Sequence, residues 1–169
     1  MSVTTILLTV ALLAANAFFV GAEFAAMSAR RSQLEPLAEA GSKRAQTALD
    51  AMQHTGILLA TCQLGITVCS VLLGAISEAA LHHALTPIFE DLGLSSVVAD
   101  VVALGLALGL IVFLHVVYGE MIPKNISIAR PERSALALVP PLVMVSKVVA
   151  PVIHAMDWLS KALIRLFGV

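Results

Sequence analysis

Three stretches without a single Asp, Glu, Lys or Arg constrain this chain more than any other feature: Ser2 to Ala22, Thr55 to Ser77 and Val101 to Gly119. Each approaches the roughly 20 apolar residues that an α-helix needs to cross a hydrocarbon core. A chain that crosses lipid must satisfy its backbone polar groups within itself, and a helix does so. A fourth uncharged run, Ser134 to Ser146, is too short. Composition agrees, with 59% hydrophobic and 12% charged residues and a mean hydropathy of +0.96. The expected fold is all-α and integral to the membrane. It has three transmembrane helices, at about 3–28, 55–79 and 98–119, and juxtamembrane helices at about 32–53 and 132–168. A multi-pass protein of the cell (inner or plasma) membrane follows, with the lipid bilayer as its solvent and no nucleic-acid partner expected.

Net charge, −1, decides little, but the placement of the basic residues decides orientation. Arg30, Arg31, Lys43 and Arg44 lie between the first and second spans, and Lys124, Arg130 and Arg133 follow the third. The Glu78 to Asp100 connection carries neither Lys nor Arg. By the positive-inside rule the N-terminus is outside, the first loop cytoplasmic, the second outside and the C-terminus cytoplasmic. Ala15 Asn16 Ala17 resembles a signal-peptidase site. However, no basic residue precedes the apolar run and two arginines follow it, so the first span reads as a retained helix. Cys62 and Cys69 sit a heptad apart in the second span and read as small packing residues.

Between the first two spans, residues 32–54 read as a cytoplasmic surface helix. Leu34, Leu37, Ala38, Ala45, Ala48, Leu49 and Met52 suit one apolar face, Lys43, Arg44 and Asp50 suit a polar one, and Gly41 is a point of division. In the outer connection Pro87, Glu90, Asp91 and Gly93 are turn formers, and His82 and His83 are expected to be exposed. Beyond the third span, Pro131, Pro140, Pro141 and Pro151, with Arg133, Lys147 and Asp157, argue against a fourth crossing and for several short cytoplasmic helices. Trp158 with Lys161 and Arg165 has the character of an interfacial anchor. The ending at Val169 reads as that of a membrane domain belonging to a longer protein.

The chemistry gathers at Gly119 Glu120 Met121 Ile122 Pro123 Lys124. An ionisable residue at membrane depth is a functional candidate by default. Pro123 has no N–H to offer the carbonyl four residues back, that of Gly119, which is therefore released beside the Glu120 carboxylate. A carboxylate and a free carbonyl form a hard-cation ligand pair. The plain alternative is an exposed Glu120–Lys124 pair, worth about 0.3–0.5 kcal/mol. On the second span Gln63, Thr67, Ser70 and Gly74 form a polar and small stripe; the hydroxyls of Thr67 and Ser70 can complete a cation shell, although such stripes also serve helix packing. In the first span Gly21 eases unwinding that would expose carbonyls such as that of Ala22. Glu23 and Ser28 are five residues apart and point about 140° from each other on a regular helix. Ser28 is therefore assigned to the pocket of Ser70 and Glu120. Glu23 is left as a coupling-ion candidate or a partner of Arg30 or Arg31.

Together these segments resemble the transmembrane domain of the CorC and cyclin M (CNNM) magnesium transporters. The matching residues are Asn16, Phe19, Gly21, Glu23 and Ser28, the Gln63 to Ser70 stretch, and Gly119 to Lys124. The resemblance implies a homodimer of three-helix subunits exporting Mg²⁺ against Na⁺ entry. It also implies cytoplasmic CBS domains and a C-terminal domain in the full-length chain; neither falls within these 169 residues. Many members have Asn at the place of Ser70 and serines around Gly21. Backbone carbonyls can take over from the missing serines.

The expected site is a Mg²⁺ shell of Ser28, Ser70, the Gly119 carbonyl and the Glu120 carboxylate, with Ala22, Glu23, Thr67 and Asn16 as additional or coupling-ion (Na⁺) candidates. The second reading is a dimeric membrane anchor or sensor that binds a cation structurally without moving it. An intramembrane enzyme, with Cys62, Cys69 or Ser70 as nucleophile and His115 as base, lacks an orienting third group, so no enzymatic activity is expected.

Overall fold

The computed structural model describes residues 2–166; among them every regular element is helical and no strand occurs. The last two residues of the expected 132–168 segment lie outside the described residues. The elements are α1 (Val3–Ser28), α2 (Arg31–Glu39), α3 (Lys43–Ala51), α4 (Thr55–Leu73), a π-helical stretch Gly74–Glu78, α5 (Ala79–Asp91), α6 (Ser96–Leu114), a second π-helical stretch His115–Met121, α7 (Ile122–Ala129) and α8 (Pro131–Leu166).

Joined end to end, these make four helices long and apolar enough to cross a membrane: Val3–Ser28, Thr55–Asp91, Ser96–Ala129 and Pro131–Arg165. Several sequence expectations change. The outer connection is not a loop from Glu78 onward. The second helix runs on to Asp91 with Pro87 inside it, and the turn is confined to residues 92–95, where Gly93 has φ +90°. At 1.5 Å per residue its 37 residues span about 55 Å, against a core of about 30 Å, so part of it lies beyond the hydrocarbon. The segment after the third span is one 36-residue helix rather than several short ones, and it contains Pro140, Pro141 and Pro151. A proline deletes a single backbone hydrogen bond, and the flanking turns can carry a long helix through it. Gly41, at φ +91°, does divide the surface helix into α2 and α3.

The chain folds as two compact units, residues 1–20 with 65–125 and residues 21–64 with 126–169. In the first, α5 and α6 form a tight antiparallel pair. Ala99, Ala103, Ala107 and Ile111 recur every four residues along α6 and are buried, and the three alanines form a small-residue ridge that lets helices approach closely. His82 is not simply exposed: its Nε2 lies 2.9 Å from Asp100 Oδ1, clasping the pair. Thr9 and Ser77 hydroxyls, both buried, meet at 2.6 Å. Phe19 lies on Gly65, where an added Cβ would come within 2.5 Å of the ring. Gly65→Ala is expected to cost about 1–3 kcal/mol, as overpacking does. A melting temperature in detergent equal to that of the parent protein would show that the ring moves aside freely.

In the second unit α3 packs on both α2 and α8; Leu34 of α2, Ala45, Ala48 and Ala51 of α3, and Ala135, Val139, Leu142 and Ile153 of α8 are buried. Ser42 caps α3 by accepting from Ala45 N–H at 3.4 Å. Cys62, a free thiol, is fully buried here, and Cys69, also free, is buried in the first unit, consistent with packing roles.

Candidate cation site

The Pro123 argument predicts an unsatisfied carbonyl, and the structure gives that carbonyl a partner. Across His115–Met121 the backbone is π-helical, with Ile122 N–H donating to the Val117 carbonyl five residues back. Single π turns of this kind are frequent at functional sites. The Gly119 carbonyl accepts from Asn16 Nδ2 at 3.0 Å, in the buried interior of the first unit. Gly119 has no room for a side chain, since an added Cβ would stand 3.0 Å from Asn16 Nδ2 and 3.1 Å from His115 Cδ2.

Asn16 is fully buried, and its Oδ1 has no hydrogen-bond partner among the described residues. The amide cannot be turned round, because that would face two acceptors at 3.0 Å. A buried acceptor left unmade costs about 1–3 kcal/mol.

Beside Gly119 the imidazole of His115 joins two further candidates. Its Nε2 lies 3.1 Å from Ser70 Oγ and 3.7 Å from Glu120 Oε1. Ser70 donates its own proton to the Ile66 carbonyl at 2.8 Å, so its oxygen remains an acceptor. Asn16, Ser70, Gly119 and Glu120 are thus linked through direct contacts, with His115 among them. Glu120 keeps 44% of its side chain exposed. Sequence reasoning placed Asn16, Ser70, Gly119 and Glu120 in the site or near it. It did not place His115 there, because residues five apart diverge on an α-helix, whereas i→i+5 bonding returns them to one side.

Thr67 is exposed on α4. In the second unit α1 stays helical to Ser28, so Gly21 causes no unwinding. The carbonyl with a side-chain partner there is that of Gly21, accepting from Ser127 Oγ at 2.8 Å, and Ala22 is fully buried. Glu23 does not need Arg30 or Arg31: its Oε1 accepts from Gln63 Nε2 at 2.9 Å, while Arg31 pairs with Glu35 at 3.4 Å. Ser28 ends α1, partly exposed. Among the described residues no three His, Cys, Asp or Glu gather into a metal-binding group. The donors gathered here are one carboxylate, Glu120, the hydroxyl, amide and carbonyl oxygens of Ser70, Asn16 and Gly119, and the His115 imidazole; the oxygens suit a hard ion.

A family model for the cyclin M transmembrane N-terminal domain matches residues 7–169. The chain belongs to this family. As a cyclin M domain it is a multi-pass membrane protein of a transporter-type family. It is 45% identical over 166 residues to an uncharacterized Mycobacterium tuberculosis protein, covering 98% of this chain and 47% of the relative. It is 37% identical over 166 residues to UPF0053 protein YhdT of Bacillus subtilis, covering 98% of this chain and 36% of the relative. With UPF0053 protein YhdP of the same organism it shares 32% over 168 residues, 99% of this chain and 38% of the relative. The chain thus spans about half the length, or less, of these relatives.

Proposed function

We propose that this cyclin M domain carries Mg²⁺ across a cell membrane, exporting it against Na⁺ entry. In this reading it works as a homodimer, with CBS domains attached in the full-length chain. The observation that carries the reading is the buried, unpartnered Oδ1 of Asn16 beside the Gly119 carbonyl, in contact through His115 with Ser70 and Glu120. A cation would satisfy that oxygen. Mg²⁺ takes six oxygens at about 2.0–2.1 Å and gives up water reluctantly. With one carboxylate in the shell the bound ion stays net positive, which favours modest affinity and release. Ser28 is carried in the same proposal as a hydroxyl that serves the ion along its path, and Glu23 as a participant in Na⁺ coupling.

For orientation we adopt three crossings with the N-terminus outside. Nine of the ten Lys and Arg residues fall within 21–64 and 126–169, between the first and second spans or beyond the third. Lys147, in the middle of the fourth apolar helix, favours placing α8 outside the hydrocarbon core.

Proteoliposomes with an imposed Mg²⁺ gradient test the function. Mg²⁺ should move faster than in protein-free vesicles, and an opposing Na⁺ gradient should accelerate it. Ser28→Ala should slow it severalfold. Binding of Mg²⁺ without movement would favour the anchor or sensor reading instead.

A further inference from the structure

Within the proposed site one donor is a poor ligand for Mg²⁺. We infer that His115 is a direct metal ligand that makes this site prefer a nitrogen-accepting divalent ion, represented by Mn²⁺, over Mg²⁺. The inference rests on the site reading above: it keeps Mg²⁺ as an ion that the site takes and adds a second class of cargo.

Two donors about 2.1 Å from one octahedral ion lie about 3.0 Å apart when adjacent and about 4.2 Å apart when opposite. Ser70 Oγ and His115 Nε2, at 3.1 Å, have the adjacent spacing. His115 Nε2 and Glu120 Oε1, at 3.7 Å, fall between the two limits. His115 Nε2 can therefore share an ion with Ser70 on one side and with Glu120 on the other. The π-helical stretch makes this possible, because it brings His115 and Glu120 to the same side of one helix.

Ser70 gives its hydrogen to the Ile66 carbonyl, so in this structure Nε2 of His115 carries the hydrogen that faces Ser70 Oγ. To bind an ion, Nε2 must release that proton while Nδ1 takes one up. In that tautomer the Nε2 lone pair faces the ion. An ion at this point then occupies the place of a hydrogen bond that the site already makes, with the Ser70 oxygen lone pairs turned to it.

Selectivity follows from the donor set. Mg²⁺ favours carboxylate, carbonyl and water, whereas imidazole suits first-row transition ions; Mn²⁺ accepts both kinds of donor and the octahedral geometry. A ring of oxygens with a single nitrogen distinguishes the two ions by that nitrogen. Gly119 sharpens the choice, since its missing Cβ is what lets the imidazole stand 3.1 Å from the position that a side chain would take.

The test uses the purified chain in nanodiscs, titrated with Mn²⁺ or Mg²⁺ alone, together with electron spin-echo envelope modulation of bound Mn²⁺. Mn²⁺ should bind at least about tenfold more tightly than Mg²⁺, with nitrogen modulation in its spectrum. His115→Gln should remove the modulation and bring the two affinities within about threefold, chiefly by weakening Mn²⁺. If Mn²⁺ binds without nitrogen modulation, the inference fails while the oxygen site stands, and this readout needs no variant. If Glu120→Gln binds both ions as the parent does, the site reading fails and takes the inference with it.

Discussion

Replacing Glu120 by Gln should weaken Mg²⁺ binding at least about a hundredfold, about 2.7 kcal/mol, while leaving the helical fold intact. The substitution keeps the shape and one oxygen donor, so it isolates the charge. That charge is the only carboxylate among the donors Asn16, Ser70, His115, Gly119 and Glu120, and its side chain is 44% exposed, so losing it should not unfold the protein. A carboxylate serving only as an exposed surface acid would contribute at most about 1 kcal/mol to anything. Titration calorimetry separates the cases by a wide margin. Glu120→Asp offers a second comparison, since it keeps the charge but shortens the reach and should fall between the two. A dissociation constant for Glu120→Gln within threefold of the parent would remove the cation site from consideration, whatever the transport assay gave.

Much of the architecture was legible because bilayer physics leaves few options. Charge-free runs of about 20 residues located the first three long helices, and Gly41 located the division between α2 and α3. The errors came where local rules were treated as absolute. Pro87, Pro140, Pro141 and Pro151 read as breakers, yet all lie inside helices, since the lost N–H affects one bond in a ladder of many. Gly21 read as a place of unwinding, but α1 passes through it unchanged, and the Gly21 carbonyl instead accepts the Ser127 hydroxyl.

At the site the difference is more instructive. Pro123 pointed correctly to the Gly119 carbonyl as the group needing a partner, because that argument depends only on covalent chemistry. The identity of the partner, Asn16, lies 103 residues away in sequence and no local pattern contains it. His115 was missed for a geometric reason. A 100° step per residue separates it from Glu120, and the step holds only while the helix is α. Pro123 lies beyond His115 on the same helix with Gly119 between them, and the π turn falls across this stretch; sequence shows the ingredients but not whether the extra residue is taken up.

Asn16 offers the sharper test, because two of its substitutions should move in opposite directions. Asn16→Ala removes both the donor to the Gly119 carbonyl and the unpartnered Oδ1. Without cation, these losses oppose each other: a buried carbonyl loses its donor, while a buried acceptor that had no partner disappears, each worth about 1–3 kcal/mol. Stability in chelator should therefore change little beyond the cost of the small cavity. The response to Mg²⁺ should change greatly. A ligand at a hundred times its dissociation constant stabilises by about 2.7 kcal/mol, and in Asn16→Ala most of that rise in melting temperature should vanish. Asn16→Asp does the reverse. It replaces the Nδ2 donor with a second anionic oxygen facing the Gly119 carbonyl at 3.0 Å, so the protein without cation should be markedly less stable. A divalent ion between those oxygens turns the repulsion into coordination, so the Mg²⁺-dependent rise should exceed that of the parent. A purely structural asparagine predicts a different pair of results, with both variants destabilised by the same amount whether or not Mg²⁺ is present. The sign of the difference between Asp and Ala under Mg²⁺ therefore decides whether Oδ1 of Asn16 is a ligand held ready or merely an imperfection of packing.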